Sequence, residues 1–163
     1  MPLFRLLALL TLVLPLTAQA QLRLGGHLGL TLDGTDLFAG VAGQLPFTAG
    51  TYDLVANPSF EAYPFVDGSI SRINLDVLYP LTDADRLWPY VGGGILVHVI
   101  NFPDDTVDAF GETGDTDVGL NLKAGLLIRL EGRPYRLFGE LVQTLGGGTT
   151  LSLRTGLYFT LGG

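Results

Sequence analysis

The segment TTLSLRTGLYFTL, at residues 149–161, carries a row of mostly leucine side chains at every second position, from Leu151 to Leu161. Side chains of an extended chain point alternately to its two sides, so this spacing predicts a β-strand with one apolar face. The opposite face carries a full charge, at Arg154. The direction in which Arg154 points therefore separates a soluble protein from a membrane protein.

The same alternation recurs along the chain, and no charged residue falls on the apolar side of any of these segments. The weakest segment is the third, where Pro58 lacks a backbone donor and predicts a bulge or bend. We therefore predict an all-β fold, an eight-stranded antiparallel up-and-down barrel. The predicted strands cover roughly residues 22–32, 37–45, 52–62, 70–79, 90–99, 118–130, 135–145 and 149–161.

The first twenty residues, MPLFRLLALLTLVLPLTAQA, have the organisation of a secretory signal peptide. One basic residue, Arg5, precedes an apolar run that ends in the small-residue pattern Ala-Gln-Ala. The run is shorter than the roughly 20 residues that a transmembrane helix needs. We expect cleavage after Ala20, which leaves residues 21–163 as one exported domain.

Composition excludes several classes of function. The chain contains no cysteine, so disulfide scaffolds, thiol catalysis and cysteine metal sites are ruled out. Acidic residues outnumber basic ones by 16 to 9, which argues against a nucleic-acid partner. Charged residues form only 15% of the chain, against roughly 25% in soluble domains. No apolar stretch after residue 20 has helical quality, so a membrane-spanning form would have to use strands.

Two barrels fit this pattern. A soluble, lipocalin-like periplasmic barrel would enclose the leucines around an apolar ligand, whereas a transmembrane barrel would turn them toward lipid. The charged residues share a face with many glycines and carry both signs, which favours a filled polar interior and hence the transmembrane barrel. The predicted interior charge network is Arg23, Asp53, Glu61, Arg72, Asp76, Lys123, Arg129, Arg136, Glu140 and Arg154.

The fifth connection, NFPDDTVDAFGETGDTD, is the longest and contains no basic residue. With the start of the first strand in the periplasm it faces outside, in line with the long outer loops of outer-membrane barrels. Its carboxylates could bind a divalent cation, although an acidic loop is more often simply solvated. The predicted exposed acidic loop comprises Asp104, Asp105, Asp108, Glu112 and Asp115.

Aromatic residues fall near the predicted strand ends, as amphipathic rings do at lipid–water boundaries. The predicted periplasmic belt consists of Phe47, Tyr52, Tyr79, Trp88, Tyr90, Tyr135 and Phe159. The predicted outer belt consists of Tyr63, Phe65 and Phe102.

The strand pattern, LWPYVGGGILV at the fifth strand and the final LSLRTGLYFTL resemble the small eight-stranded outer-membrane barrels of the OmpA/OmpX-like group. The resemblance covers the exported domain. It implies a bacterial outer-membrane location, with membrane lipid and the barrel-assembly machinery as partners. That group ends its last strand with an aromatic residue, whereas here Phe159 is followed by Thr-Leu-Gly-Gly.

Catalytic motifs are missing from the sequence. His27 and His98 lack the spacing of a metal site or of a Ser-His-acid set. We expect a monomer without cofactors or enzymatic activity, with a structural or surface-interacting role. The alternatives left open are a lipid A-modifying barrel enzyme, which would need a His–Ser–acid cluster at the outer rim, the soluble lipocalin-like barrel, and a narrow porin-like ion path.

Overall fold

The computed structural model describes residues 22–34, 36–64, 69–82, 86–101, 114–146 and 149–161. These residues form a closed barrel in which each strand pairs with its neighbours in the sequence and the first pairs with the last. The predicted eight-stranded antiparallel up-and-down barrel is therefore confirmed. The strands are β1 (Leu22–Thr31), β2 (Leu37–Ala49), β3 (Tyr52–Tyr63), β4 (Ser69–Pro80), β5 (Leu87–Asn101), β6 (Gly114–Arg129), β7 (Tyr135–Leu145) and β8 (Thr150–Leu161).

The up-and-down topology gives the barrel two unlike ends. At one end, the short-turn end, β1 begins, β8 ends, and the connections are residues 50–51, 81–86 and 130–134. Gly50 and Gly132 adopt positive φ angles of 63° and 69° in two of these turns, a conformation that glycine takes without strain. The other end, the loop end, carries the connections at residues 32–36, 64–68, 102–113 and 146–149.

Strands β5 and β6 reach further toward the loop end than the hydropathy pattern predicts. Their ladder continues to Asn101 opposite Gly114, and it pairs Asp115 with Ile100 and Asp117 with His98. The assignment of Asp115 to the exposed loop is therefore wrong, because its backbone belongs to β6. Backbone hydrogen bonding needs no apolar side chain, so the alternation of leucines underestimates the length of this hairpin.

Pro58 does not produce the bulge that the sequence predicts. Its neighbours on β3 keep one register with β4, and on β2 the pairing stops after Ala42 and resumes at Leu45 in the same register. Pro58 lies opposite Gly43 in that register and has no N–H to offer. The side-chain Nδ2 of Asn57 donates instead to the carbonyl oxygen of Gly43, at 2.7 Å. A side chain thus replaces the missing backbone donor in the barrel wall.

Side chains along each strand point alternately out of and into the barrel, on the sides that the sequence predicts. Leu28, Val41 and Val118 are 66%, 61% and 68% exposed on the outside, whereas Arg154 is 1% exposed inside. An exterior of this kind contradicts the soluble lipocalin-like alternative, which needs a polar outer surface. The structure is a transmembrane β-barrel. Within the described ranges, no helix is long and apolar enough to cross a membrane.

An apolar cluster, which the sequence did not predict as a unit, fills the interior at the short-turn end. Its buried members are Ala42, Val55, Leu78, Tyr90, Leu127, Phe138 and Tyr158, and Trp88 packs against them. The barrel interior thus holds an apolar cluster toward the short-turn end and a charged region at its centre.

The belt of aromatic residues at the short-turn end is smaller than predicted. Tyr52 and Tyr79 form an exposed edge-to-face pair with 6.2 Å between ring centroids. Trp88 and Tyr90 were placed in this belt wrongly, because they share the inward parity of β5. Tyr63, predicted for the outer belt, is also buried inside. The predicted outer-belt residues Phe65 and Phe102 lie outside the described residues.

The outward parity of β6 can be tested at Leu122, which lies near the middle of the strand and is 56% exposed. We expect Leu122→Arg to lower the free energy of unfolding in lipid vesicles by about 2 to 4 kcal/mol, because it places a charge at the depth of the bilayer midplane. Leu81→Arg, the same change at an exposed residue of the short-turn end, is the matched control and should cost about 1 kcal/mol or less. Equal losses in urea titrations of the two variants would contradict the transmembrane placement.

Candidate functional site

Five ionic side chains meet at the centre of the barrel interior, and we call them the central ion cluster. Arg154 on β8 reaches two carboxylates: its Nη1 lies 2.9 Å from Oε1 of Glu61 and 3.4 Å from Oε1 of Glu140. Lys123 on β6 also reaches two, with its Nζ 2.7 Å from Oδ2 of Asp76 and 3.5 Å from Oε1 of Glu140. Glu140 thus joins the two ion pairs into one cluster.

Neutral amides and hydroxyls add hydrogen bonds to part of this cluster. Asn121 donates through Nδ2 to Asn74 at 2.9 Å and to Asp76 at 3.2 Å, and it accepts from the hydroxyl of Thr144 at 3.1 Å. Asn57 accepts from Lys123 at 3.3 Å. The Thr144 contact joins neighbouring strands, whereas the other three cross the interior from β6 to β3 and β4 and tie separate parts of the wall together.

Tyr90 links the central ion cluster to the apolar cluster at the short-turn end. Its hydroxyl donates to Oε2 of Glu140 at 2.8 Å, while its ring lies in the apolar cluster. A side chain at Gly125 would collide with this ring, which explains the glycine on the inward face of β6. The absence of a side chain at one position therefore makes room for the hydrogen bond to Glu140.

His27 adjoins the central ion cluster at Glu61. Three carboxylates face two cations, and His27 Nε2 lies 3.4 Å from Glu61 Oε1. All five members are nearly or fully inaccessible to solvent. A buried charge is tolerated when it is paired and hydrogen-bonded, so the cluster must stay assembled for the fold to be stable.

The other residues of the predicted charge network lie outside the central ion cluster. Asp53 is exposed at the short-turn end and accepts from the hydroxyl of Thr48, because β3 begins there and its first residues reach the rim. Arg72 is buried toward the loop end, with its guanidinium 4.8 Å from the ring centroid of Tyr63. Arg23, Arg129 and Arg136 lie toward the short-turn end.

Sequence reasoning missed the neutral part of the site. Asn57, Asn74 and Asn121 are each 1% exposed, and Tyr90 is 6% exposed. All four share the inward parity of the charged residues, and that parity is the signal that could have identified them. The sequence gives no indication of which of them meet, because contacts across the interior depend on the stagger of the whole barrel.

Among the described residues, His27 contacts Glu61 and two aromatic rings. Its ring lies edge-on to Phe38 and Phe138, and its ionic partner is Glu61 in the buried centre rather than a serine at the rim. His98 lies opposite Arg72 and Asp117 in the two ladders of β5. Among the described residues, no group of three or more His, Asp or Glu side chains is arranged to hold a metal ion. The predicted loop residues Asp104, Asp105, Asp108 and Glu112, and the side chain of Asp115, lie outside the described part of the chain.

Solved structures with the same fold include outer-membrane proteins and designed transmembrane β-barrels. The N-terminal β-barrel domain of OprF from Pseudomonas aeruginosa matches with a TM-score of 0.66 and 16% identity, over 88% of this chain and 100% of that domain. Neisserial surface protein A matches with a TM-score of 0.52 and 12% identity, over 87% and 96%. Ail of Yersinia pestis matches with a TM-score of 0.51 and 10% identity, over 87% and 97%.

The chain therefore has the fold of the small eight-stranded outer-membrane barrels, and the OmpA/OmpX-like resemblance is confirmed at that level. At identities of 16% or less, the likeness concerns the fold alone. No protein-family model matches the sequence, and no curated protein matches it.

The central ion cluster predicts a specific pattern of stability. Lys123→Met should lower the free energy of unfolding by about 3 to 5 kcal/mol, because Asp76 is left buried without its cation. The double variant Lys123→Met/Asp76→Asn should lose clearly less of this free energy. The amide introduced at position 76 carries no charge, and its oxygen still accepts from Asn121. Urea unfolding in detergent micelles measures both values. A double variant at least as unstable as the single one would show that pairing with Asp76 is not what Lys123 contributes.

Proposed function

We propose that this chain is a monomeric bacterial outer-membrane β-barrel without catalytic activity, which has a structural or surface-interacting role in the cell envelope. The observation that carries the proposal is the inverted distribution of side chains, apolar outside and ionic inside. Such a surface is compatible with lipid and would aggregate in water. The fold shared with OprF, Ail and neisserial surface protein A supports the same cellular setting.

The interior supports a closed lumen rather than a porin-like channel. An eight-stranded barrel is just wide enough to be filled by its own side chains. Here the central ion cluster crosses the interior from β3 and β4 to β6, β7 and β8. The apolar cluster closes the space below it, toward the short-turn end. We propose that the two clusters together plug the barrel.

The role as a lipid A-modifying enzyme receives less support. That chemistry would need a histidine, a serine and an acid within hydrogen-bond reach at the outer rim. His27 is instead held by Glu61 and two aromatic rings in the buried interior. We therefore assign the histidine to the packing of the barrel interior.

The surface role is proposed for the loop end. Its connections contain no Lys or Arg, and they carry Asp33, Asp36 and Asp67 in addition to the acidic residues of the β5–β6 connection. An acidic surface attracts cationic partners, divalent cations included, and repels polyanions. Ail of Yersinia pestis has been solved with the heparin analogue sucrose octasulfate. We do not extend a polyanionic ligand of that kind to this chain.

Location and orientation can be tested by labelling, because the chain has no cysteine of its own. In a Gram-negative host we expect a membrane-impermeant maleimide to label Thr106→Cys on intact cells, because the β5–β6 connection faces outside. Thr51→Cys, in the turn between β2 and β3, should be labelled only after the envelope is opened. The reverse pattern would invert the orientation. A protein recovered from the soluble fraction would refute the outer-membrane proposal.

The proposed plug can be tested by electrical recording. We expect the protein to give no steady conductance in planar lipid bilayers, and Glu61→Ala/Arg154→Ala to give a measurable one, because that variant removes one of the two connected ion pairs. Leu153→Ala changes the outward-facing neighbour and should remain closed. Heat-dependent gel migration verifies that each variant is folded. Equal conductance of the unmodified barrel and the double variant would contradict the plug.

A further inference from the structure

Three arginines converge at the short-turn end without a carboxylate among the described residues to neutralise them. Arg23 on β1, Arg129 on β6 and Arg136 on β7 form this group, which we call the arginine mouth. The ion pairs among the described residues include none of the three. Asp53, one described carboxylate at this end, accepts from Thr48, and the other, Glu131, pairs with Arg86 at 3.1 Å.

Trp88 lies against two members of the arginine mouth. The guanidinium carbons of Arg23 and Arg136 lie 5.7 Å and 5.0 Å from the centroid of its ring. Arg129 lies directly opposite Arg136 in the ladder between β6 and β7. Like charges directly opposite one another destabilise a strand pair. The arrangement therefore has an electrostatic cost that a bound anion would remove.

Arg23 supplies a second, independent sign of a binding site. It is 5% exposed, and its Nη1 donates to Gln44 at 3.1 Å, but its buried Nε finds no hydrogen-bond partner among the described residues. A small cavity of about 20 Å³ lies beside it, and apart from Arg23 and Gln44 its lining is apolar or aromatic, with Trp88 and Tyr90 among the lining residues. A guanidinium with an unused donor is one element that an oxyanion site requires.

We propose that the arginine mouth binds a phosphate group at the short-turn end of the barrel. Guanidinium groups donate paired hydrogen bonds that match the oxygens of phosphate. A phosphate monoester carries a charge of about −1.5 to −2 near neutral pH, which suits three arginines that have no ion-pair partner in the described part of the chain. The group is supplied either by a soluble phosphate compound or by the headgroup of an anionic phospholipid at the adjacent membrane surface.

Trp88 is the one tryptophan of the chain, so its fluorescence reports on this site alone. The folded barrel in nonionic detergent is titrated with inorganic phosphate, and a parallel titration with chloride is matched in ionic strength. We expect a saturable change in Trp88 emission with phosphate and none with chloride. An identical response to both salts would overturn the proposal.

Two arginine variants locate the binding. Arg136→Gln should raise the apparent Kd for phosphate roughly tenfold, since it removes a charge-assisted donor at a half-buried position. Arg133→Gln removes an exposed charge from the neighbouring turn and should leave the Kd unchanged. Equal effects of the two variants would show nonspecific attraction and overturn the site. If Arg136→Gln fails to fold, Arg129→Gln takes its place. Arg129 is exposed like Arg133 but belongs to the arginine mouth, so its variant is compared with Arg133→Gln in the same way.

Reconstituted vesicles distinguish the two sources of the phosphate group. If a lipid headgroup occupies the site, Trp88 emission in vesicles of phosphatidylcholine with phosphatidylglycerol should differ from that in phosphatidylcholine alone, and added phosphate should have no further effect. If a soluble compound is the ligand, emission should be the same in both vesicles and respond to added phosphate in both. Emission that responds to neither lipid nor phosphate would contradict the proposal.

Discussion

The pairing of Arg154 with Glu61 and Glu140 is the interaction on which the rest of the barrel depends. Neither lipid outside nor close-packed side chains inside can solvate a guanidinium, so its charge must be met by carboxylates from other strands. Those strands must then present their polar faces inward, and their leucines are turned outward. The same carboxylate, Glu140, also meets Lys123, so the requirement extends around most of the wall. Fold, orientation of the side chains and membrane compatibility are consequences of one set of buried charges.

The parity of the strands could be predicted from the sequence because it is a local property. A period of two is visible wherever Leu, Val and Ile alternate with Arg, Asp, Gly and Asn, and it places Arg154, Lys123 and Glu61 on the inward face, where all three are buried. The contacts among those residues could not be predicted. They join β3 to β8 and β4 to β6 across the lumen, and the stagger that brings them together is a property of the closed barrel.

Some side chains were predicted wrongly because their position near a strand end and their place in the in–out alternation indicated different directions. Trp88 and Tyr90 were assigned to a membrane belt from their position near a strand end, although their parity on β5 directs them inside. The alternation of side chains along β5 decides their direction. Turning these two residues outward would turn the adjacent Val91 toward the lumen and disrupt the ladder. Asp53 shows the opposite limit: it has inward parity, but a strand that begins at the rim leaves it exposed. Alternation gives a side chain's direction and not its depth.

The bond from Asn57 to the carbonyl of Gly43 has a consequence for how related chains can vary. Asn57 accepts from Lys123 inside the barrel and, through its amide nitrogen, repairs the wall where Pro58 offers no donor. A homologue without a proline at position 58 would no longer need the amide at 57, whereas one that keeps the proline and loses the amide would leave a carbonyl unsatisfied within the bilayer. Positions 57 and 58 should therefore evolve as a pair, with the neighbouring asparagine retained for as long as the proline is.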